Sequence, residues 1–187
     1  AVCFHEPYPI MYADYPDPEN KKAYYRHLFL TRKRINIKRA AADHRYYVET
    51  NHQFIKSFLP LALEEFDDKV RILHIYRDVL KVSSSFYSIN SIPGKTRTGR
   101  AYLLYPDHKD NLVQIGDLLY GDPQFDHDLY KCLWYWYEIE TRVKAARQQY
   151  PQARWHSMKT EQLNDKAALL EMFENLGIVH DPDRLDA

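Results

Sequence analysis

The sequence predicts a three-layer α/β domain built on a mostly parallel central sheet. Short apolar runs alternate with longer stretches of helical spacing, and most runs stop at polar or proline-bearing segments. A chain of 187 residues, 45% of them hydrophobic, is also long enough to bury one real core. One domain over residues 1–187 is therefore expected.

Ala1-Val2-Cys3-Phe4 is a brief apolar run that ends at His5-Glu6-Pro7, where proline stops regular structure. Pro9, Pro16 and Pro18 mark a loop, and a helix is expected over residues 19–39, with Tyr24, Leu28 and Ile35 interleaved with basic residues. A strand over residues 45–48 is expected to end at Glu49-Thr50-Asn51. Phe54, Phe58, Leu61 and Leu63 then line a helix interrupted near Pro60. Residues 70–76 form the third strand-like run, followed by a helix over residues 78–87.

Residues 88–121 carry Pro93, Gly94, Gly99, Pro106, Gly116 and Gly121, which predicts a long functional loop with residues 93–100 mobile. From Phe125 the positions Leu129, Leu133, Trp136, Ile139 and Val143 recur at helical spacing until Pro151. A last strand is expected over residues 154–158 and a last helix over residues 164–176, with Gly177 as its C-cap.

Composition excludes several classes. Twenty-six basic and 26 acidic residues cancel, so no bulk field recruits nucleic acid or an anionic membrane. Two cysteines, Cys3 and Cys132, make neither a disulfide framework nor a metal site of usual spacing. His108 and His127 lack the i, i+4 partner that a metal site would use, so no metal is expected. With no signal peptide and no 18-residue apolar run, a cytoplasmic protein is expected. The basic residues of the first helix, Lys21 to Arg39, read as a solvated face before they read as a polyanion site. For Trp134-Tyr135-Trp136-Tyr137, core packing comes first and a homodimer surface second.

The richest chemistry lies where the third strand ends at Arg77. Asp78 and the hydroxyl-rich turn Ser83-Ser84-Ser85 follow at once. In open α/β sheets ligands bind beyond the carboxyl ends of the strands. A guanidinium, a serine hydroxyl and the N–H groups of a helix start together suit a phosphate monoester. Against this stands a plainer reading, a surface arginine and a serine on a solvated turn.

This stretch resembles the 3′-phosphate-binding segment of the sulfotransferases that use 3′-phosphoadenosine 5′-phosphosulfate (PAPS). There a strand ends in arginine, and a serine eight positions later precedes two aromatic residues, as Arg77, Ser85, Phe86 and Tyr87 do here. The resemblance implies a sulfotransferase of P-loop-type fold, with Arg77 and Ser85 holding the 3′-phosphate of PAPS. It also implies a small-molecule or glycan acceptor bearing a hydroxyl or amine.

Val48-Glu49-Thr50-Asn51 is similar to the strand end of heparan-type members, and Phe4-His5-Glu6 to that of the tyrosylprotein branch. In each a glutamate is the catalytic base, so Glu49 and Glu6 are the candidate bases. Glu49 reads equally as a charge complementing a helix dipole. His52 reads as a packing or surface residue. The helix around Leu133-Trp134-Tyr135-Trp136-Tyr137-Glu138 and the stretch Lys159-Thr160-Glu161-Gln162-Leu163 fit bacterial members of the family.

One departure stands out. The family's first strand and its glycine-containing 5′-phosphosulfate loop have no counterpart ahead of Ala1, so an N-terminally incomplete domain is expected. Pro93-Gly94-Lys95-Thr96 is no substitute, because Ile89 stands where a Walker-type glycine is required. Two alternatives stay open: a non-catalytic nucleotide-binding module of this fold, and a P-loop kinase relative.

Overall fold

The computed structural model describes residues 1–11 and 20–181. Pro16, Pro18 and the expected helix start at Glu19 lie outside the described residues. The chain is α/β. β1 (Val2–His5) leads through a helical segment to β2 (Tyr47–Thr50), and the two pair in parallel with Cys3 opposite Val48 and Phe4 opposite Glu49. The connecting segment runs from α1 (Lys21–Leu28) through a π-helical turn at Phe29–Lys33 into α2 (Arg34–Ala41).

A second π-helical turn, Phe54–Phe58, opens the next crossover. It continues as α3 (Leu59–Phe66), with Pro60 in the first turn where its missing N–H costs nothing. Then comes β3 (Arg71–Tyr76), which pairs in parallel with β4 (Arg154–Lys159), Ile72 lying opposite Trp155 and Ile75 opposite Met158. Between these strands run α4 (Val79–Ser88), α5 (Arg97–Tyr102), α6 (Gly116–Gly121) and the long α7 (Asp128–Gln149). α8 (Lys166–Leu176) follows β4 and ends at Gly177, whose left-handed φ of 62° is the C-cap the sequence predicts.

The described strands do not join into one sheet. Among the described residues the four strands make two separate parallel pairs, because none lies between β2 and β3 to carry the ladder across. Alternation still sorts the faces. Ile72 packs with Leu59 and Leu63 of α3 and Ala146 of α7, whereas Met158 on the opposite face packs with Met172 and Leu176 of α8. The second face is bare over the inner strands, where Val48, Leu73 and Ile75 are 41%, 37% and 43% exposed. Two contacts tie the strand starts together: Arg71 Nε donates to Leu176 O (2.7 Å), and the Val179 N–H donates to Tyr46 Oη (2.8 Å).

Residues 93–100 are a packed turn and not a mobile loop. Ile92 and Pro93 are buried, and Thr96 Oγ1 accepts from the backbone N–H groups of Gly99 and Ile92. A side chain at Gly99 would collide with the Ile92 carbonyl, which a Cβ would meet at 1.8 Å. The following loop is fastened to α7 by a buried carboxylate. Glu138, with 0% exposure, accepts from the backbone N–H groups of Leu112 (3.0 Å) and Val113 (2.8 Å) and from Arg142 Nε (2.5 Å). Trp134 Nε1 donates to Val113 O from the same helix. Trp134 and Tyr135 are core residues, while Tyr137 faces solvent.

Candidate functional site

β1 and β2 end at His5 and Thr50, and β3 at Tyr76, so their carboxyl ends bring the loop residues Glu6, His52 and Arg77 to the strand ends. Two clusters occupy this edge. The first surrounds Glu6, whose backbone adopts a left-handed φ of 42°, a conformation that costs a non-glycine residue roughly 1–3 kcal/mol and recurs at functional sites. Glu6 Oε1 is shielded from solvent and lies against His52 Nδ1 at ion-pair range, without hydrogen-bond alignment.

Gln53 is fully buried. Its Nε2 donates to the Tyr102 carbonyl (3.1 Å) and faces His52 Nε2 at 2.8 Å. With Gln53 as donor, neutral His52 carries its proton on Nδ1, towards Glu6. Burial, then the neighbouring Lys56, pushes the His52 imidazole down to about 4. Its outer edge stays exposed, so solvent screening trims the energetic effect. In the unfolded chain the imidazole titrates near 6.5. Between those values the unfolded state binds more protons, so this group's contribution to stability falls as pH is lowered from 6.5 through about 4. Thermal unfolding across that window is expected to show a shallower pH dependence in His52→Gln than in the wild type. Identical slopes would refute the assignment.

Lys56 lies one turn further on. Its Nζ donates to the Tyr102 carbonyl (2.7 Å) and to Tyr135 Oη (3.0 Å), and it is 7% exposed. Burial lowers its amine well below the ordinary lysine range, against the attraction of Glu6. Lys33, 1% exposed, donates to Glu49 Oε1 (2.6 Å) and to the Pro7 carbonyl (3.1 Å). Burial lowers its amine too, and Glu49 opposes the shift. Lys33 and Lys56 each belong to a π-helical turn, a widening of the helix that recurs at functional sites.

Glu49 does not sit past the end of its strand. It lies within β2, opposite Phe4, and its carboxylate is committed: Oε1 accepts from Lys33 and Asn51 Nδ2 (2.5 Å), and Oε2 from Tyr47 Oη (2.6 Å). The solvated basic face also needs correction, since Lys33 is internal. Arg26 pairs with Glu64, and Arg34 and Lys38 share Glu65.

The second cluster follows β3. Asp78 caps α4, its Oδ1 accepting from the N–H groups of Leu80 and Lys81 at 3.0 Å each. Trp136 Nε1 donates to the Arg77 carbonyl (3.1 Å), which fixes the backbone where the guanidinium emerges. That guanidinium is half-exposed and stands 3.9 Å from Glu161, which also pairs with Lys81 at 3.5 Å. Ser85 is exposed on α4, one turn beyond Lys81 on the same side of the helix. No hydrogen bond joins Arg77 to Ser85. Two cations and a hydroxyl therefore share a surface that a phosphate could occupy, with Glu161 as its competitor.

No family model, curated protein or solved structure matches the chain.

Among the described residues no group of three or more His, Cys, Asp or Glu side chains is placed to hold a metal ion. Among the same residues no helix is long and apolar enough to cross a membrane. Cys3 and Cys132 are both free thiols, the second buried. Sequence reasoning missed Lys33, Gln53 and Lys56. Lys56 left a signal, as the one charge inside Phe54-Ile55-Lys56-Ser57-Phe58.

Proposed function

We propose that the carboxyl edge of these strands is a nucleotide site serving sulfuryl transfer from PAPS to a hydroxyl or amine. The observation that carries this reading is the common emergence there of a cationic, hydroxyl-bearing surface (Arg77, Lys81, Ser85) and a strained, shielded carboxylate (Glu6). Arg77 and Ser85 take the 3′-phosphate. Glu6 accepts the proton of the acceptor as its oxygen or nitrogen bonds to sulfur. The bond from sulfur to the 5′-phosphate oxygen breaks, and 3′,5′-adenosine bisphosphate leaves.

The finer fold reading belongs to the same proposal. One parallel sheet of P-loop type would pass through a further strand between the free edges of β2 and β3. Exposed Val48, Leu73 and Ile75 are apolar surface that such a strand and its helix would cover.

Titration with 3′,5′-adenosine bisphosphate tests the site. Arg77→Ala is expected to weaken binding by about tenfold or more, as loss of a charge-assisted hydrogen bond does. Glu161→Gln should tighten it, because a carboxylate between the cations is removed. The reading fails if the bisphosphate does not bind or if Arg77→Ala binds it unchanged. Binding with no transfer of sulfate from PAPS would leave a nucleotide-binding module.

A further inference from the structure

Beside the strand-end surface, α7 and the Ile72 face of β3–β4 flank an open cavity of about 410 Å³ lined by His74, Tyr76, Glu140, Lys144, Arg147 and Ser157, among others. Its volume falls in the ordinary range for small-molecule sites, roughly 300–1,000 Å³. Three of its acceptor atoms, Ser157 Oγ, His74 Nδ1 and Glu140 Oε1, are already in use. Arg147 Nη2 donates to Ser157 Oγ (2.6 Å), which directs the serine proton to His74 Nδ1 (3.0 Å). His74 Nε2–H then faces Glu140 Oε1 at 3.1 Å.

The donors are in surplus. Among the described residues Arg147 Nε is buried without a partner, and so, behind the cavity wall, is the indole Nε1 of Trp155, over whose ring the Arg147 guanidinium stacks at 5.4 Å. Lys144 is exposed at the cavity wall and has no ion-pair or hydrogen-bond partner among the described residues. A buried donor left without an acceptor costs about 1–3 kcal/mol, so a cavity of this kind favours a ligand rich in acceptor oxygens. Two cations, Lys144 and Arg147, face a single lining carboxylate, one oxygen of which His74 already engages.

We infer that this cavity is a second ligand site, taking a small organic oxyanion of the phosphate- or sulfate-monoester class. Arg147 and Lys144 grip the oxyanion, and the Tyr76 and His74 rings, stacked 5.5 Å apart, flank the organic part. The inference does not rest on the nucleotide reading.

Phenyl phosphate and phenyl sulfate, titrated at constant ionic strength, provide the test. Binding is followed by the NMR shift of the Trp155 indole N–H, assigned with Trp155→Phe. Saturable shifts are expected with at least one ester, and the stronger response identifies the preferred head group. Lys144→Gln and Arg147→Gln should each weaken binding by about tenfold, while Arg77→Ala leaves it unchanged. Lys144 is exposed and supports no packing, so its variant decides even if Arg147→Gln disturbs the fold. No saturable shift with either ester, or unchanged binding in Lys144→Gln, would overturn the site. Parallel loss in Arg77→Ala would overturn it as well, by assigning the shift to the strand-end surface.

Discussion

Glu138→Ala is expected to lower the stability of the fold by about 3–5 kcal/mol, the usual cost of removing one partner from a buried ion pair. Total stabilities of domains run to only about 5–15 kcal/mol, so this one change removes a large share. Three groups lose their acceptor together: the backbone N–H groups of Leu112 and Val113, and the Arg142 guanidinium. Arg142 would keep the Asp110 carbonyl at 2.9 Å but not its counter-charge. For a chain of this size the melting temperature should fall by roughly 6–20 °C. Proteolysis should then begin between Asp110 and Val113, where the loop has lost its anchor. Glu138→Gln keeps one acceptor oxygen but turns an NH₂ group towards other donors, so an intermediate loss is expected. A change under about 1 kcal/mol in Glu138→Ala would mean that the loop is held by Trp134 and packing alone.

That anchor explains which parts of the fold were legible in the sequence. β3 and α4 could be read because their signals are local: an apolar run, an arginine at its end and Asp78 in capping position. Gly177 was legible for the same reason. The ordering of residues 93–113 was not, since it depends on groups distant in sequence, and a segment punctuated by Pro and Gly looks mobile until its partners are known. Burial of Lys33 and Lys56 was equally hidden. At helical spacing a lysine looks solvated, and only the π-helical turns and the neighbouring Glu49, Tyr102 and Tyr135 reveal it as internal. Glu49 was placed beyond its strand because glutamate is a weak strand signal and Asn51 follows two residues later. Three donors to its carboxylate make its place in β2 tenable.

The same donors separate the two candidate bases. A carboxylate whose two oxygens already accept from Lys33, Asn51 and Tyr47 has no free oxygen turned towards an incoming acceptor. Glu6 has no such commitment. It sits against a neutral imidazole, and its charge is felt by Lys33, Lys56 and Tyr135. Within the proposed reaction, Glu6→Gln is therefore expected to reduce turnover by about 10²–10⁴, the range for loss of a positioned base. The bisphosphate should bind as before, since the amide keeps the shape and the proposal places the 3′-phosphate with Arg77. Glu49→Gln should instead lower stability, by stranding the buried Lys33 ammonium, and leave turnover per folded molecule nearly intact. Single-turnover transfer assays beside thermal melts tell the two apart. If Glu49→Gln abolishes transfer at full stability while Glu6→Gln does not, the roles are reversed. If neither variant slows transfer, the base is another group, and the strain at Glu6 serves the fold alone.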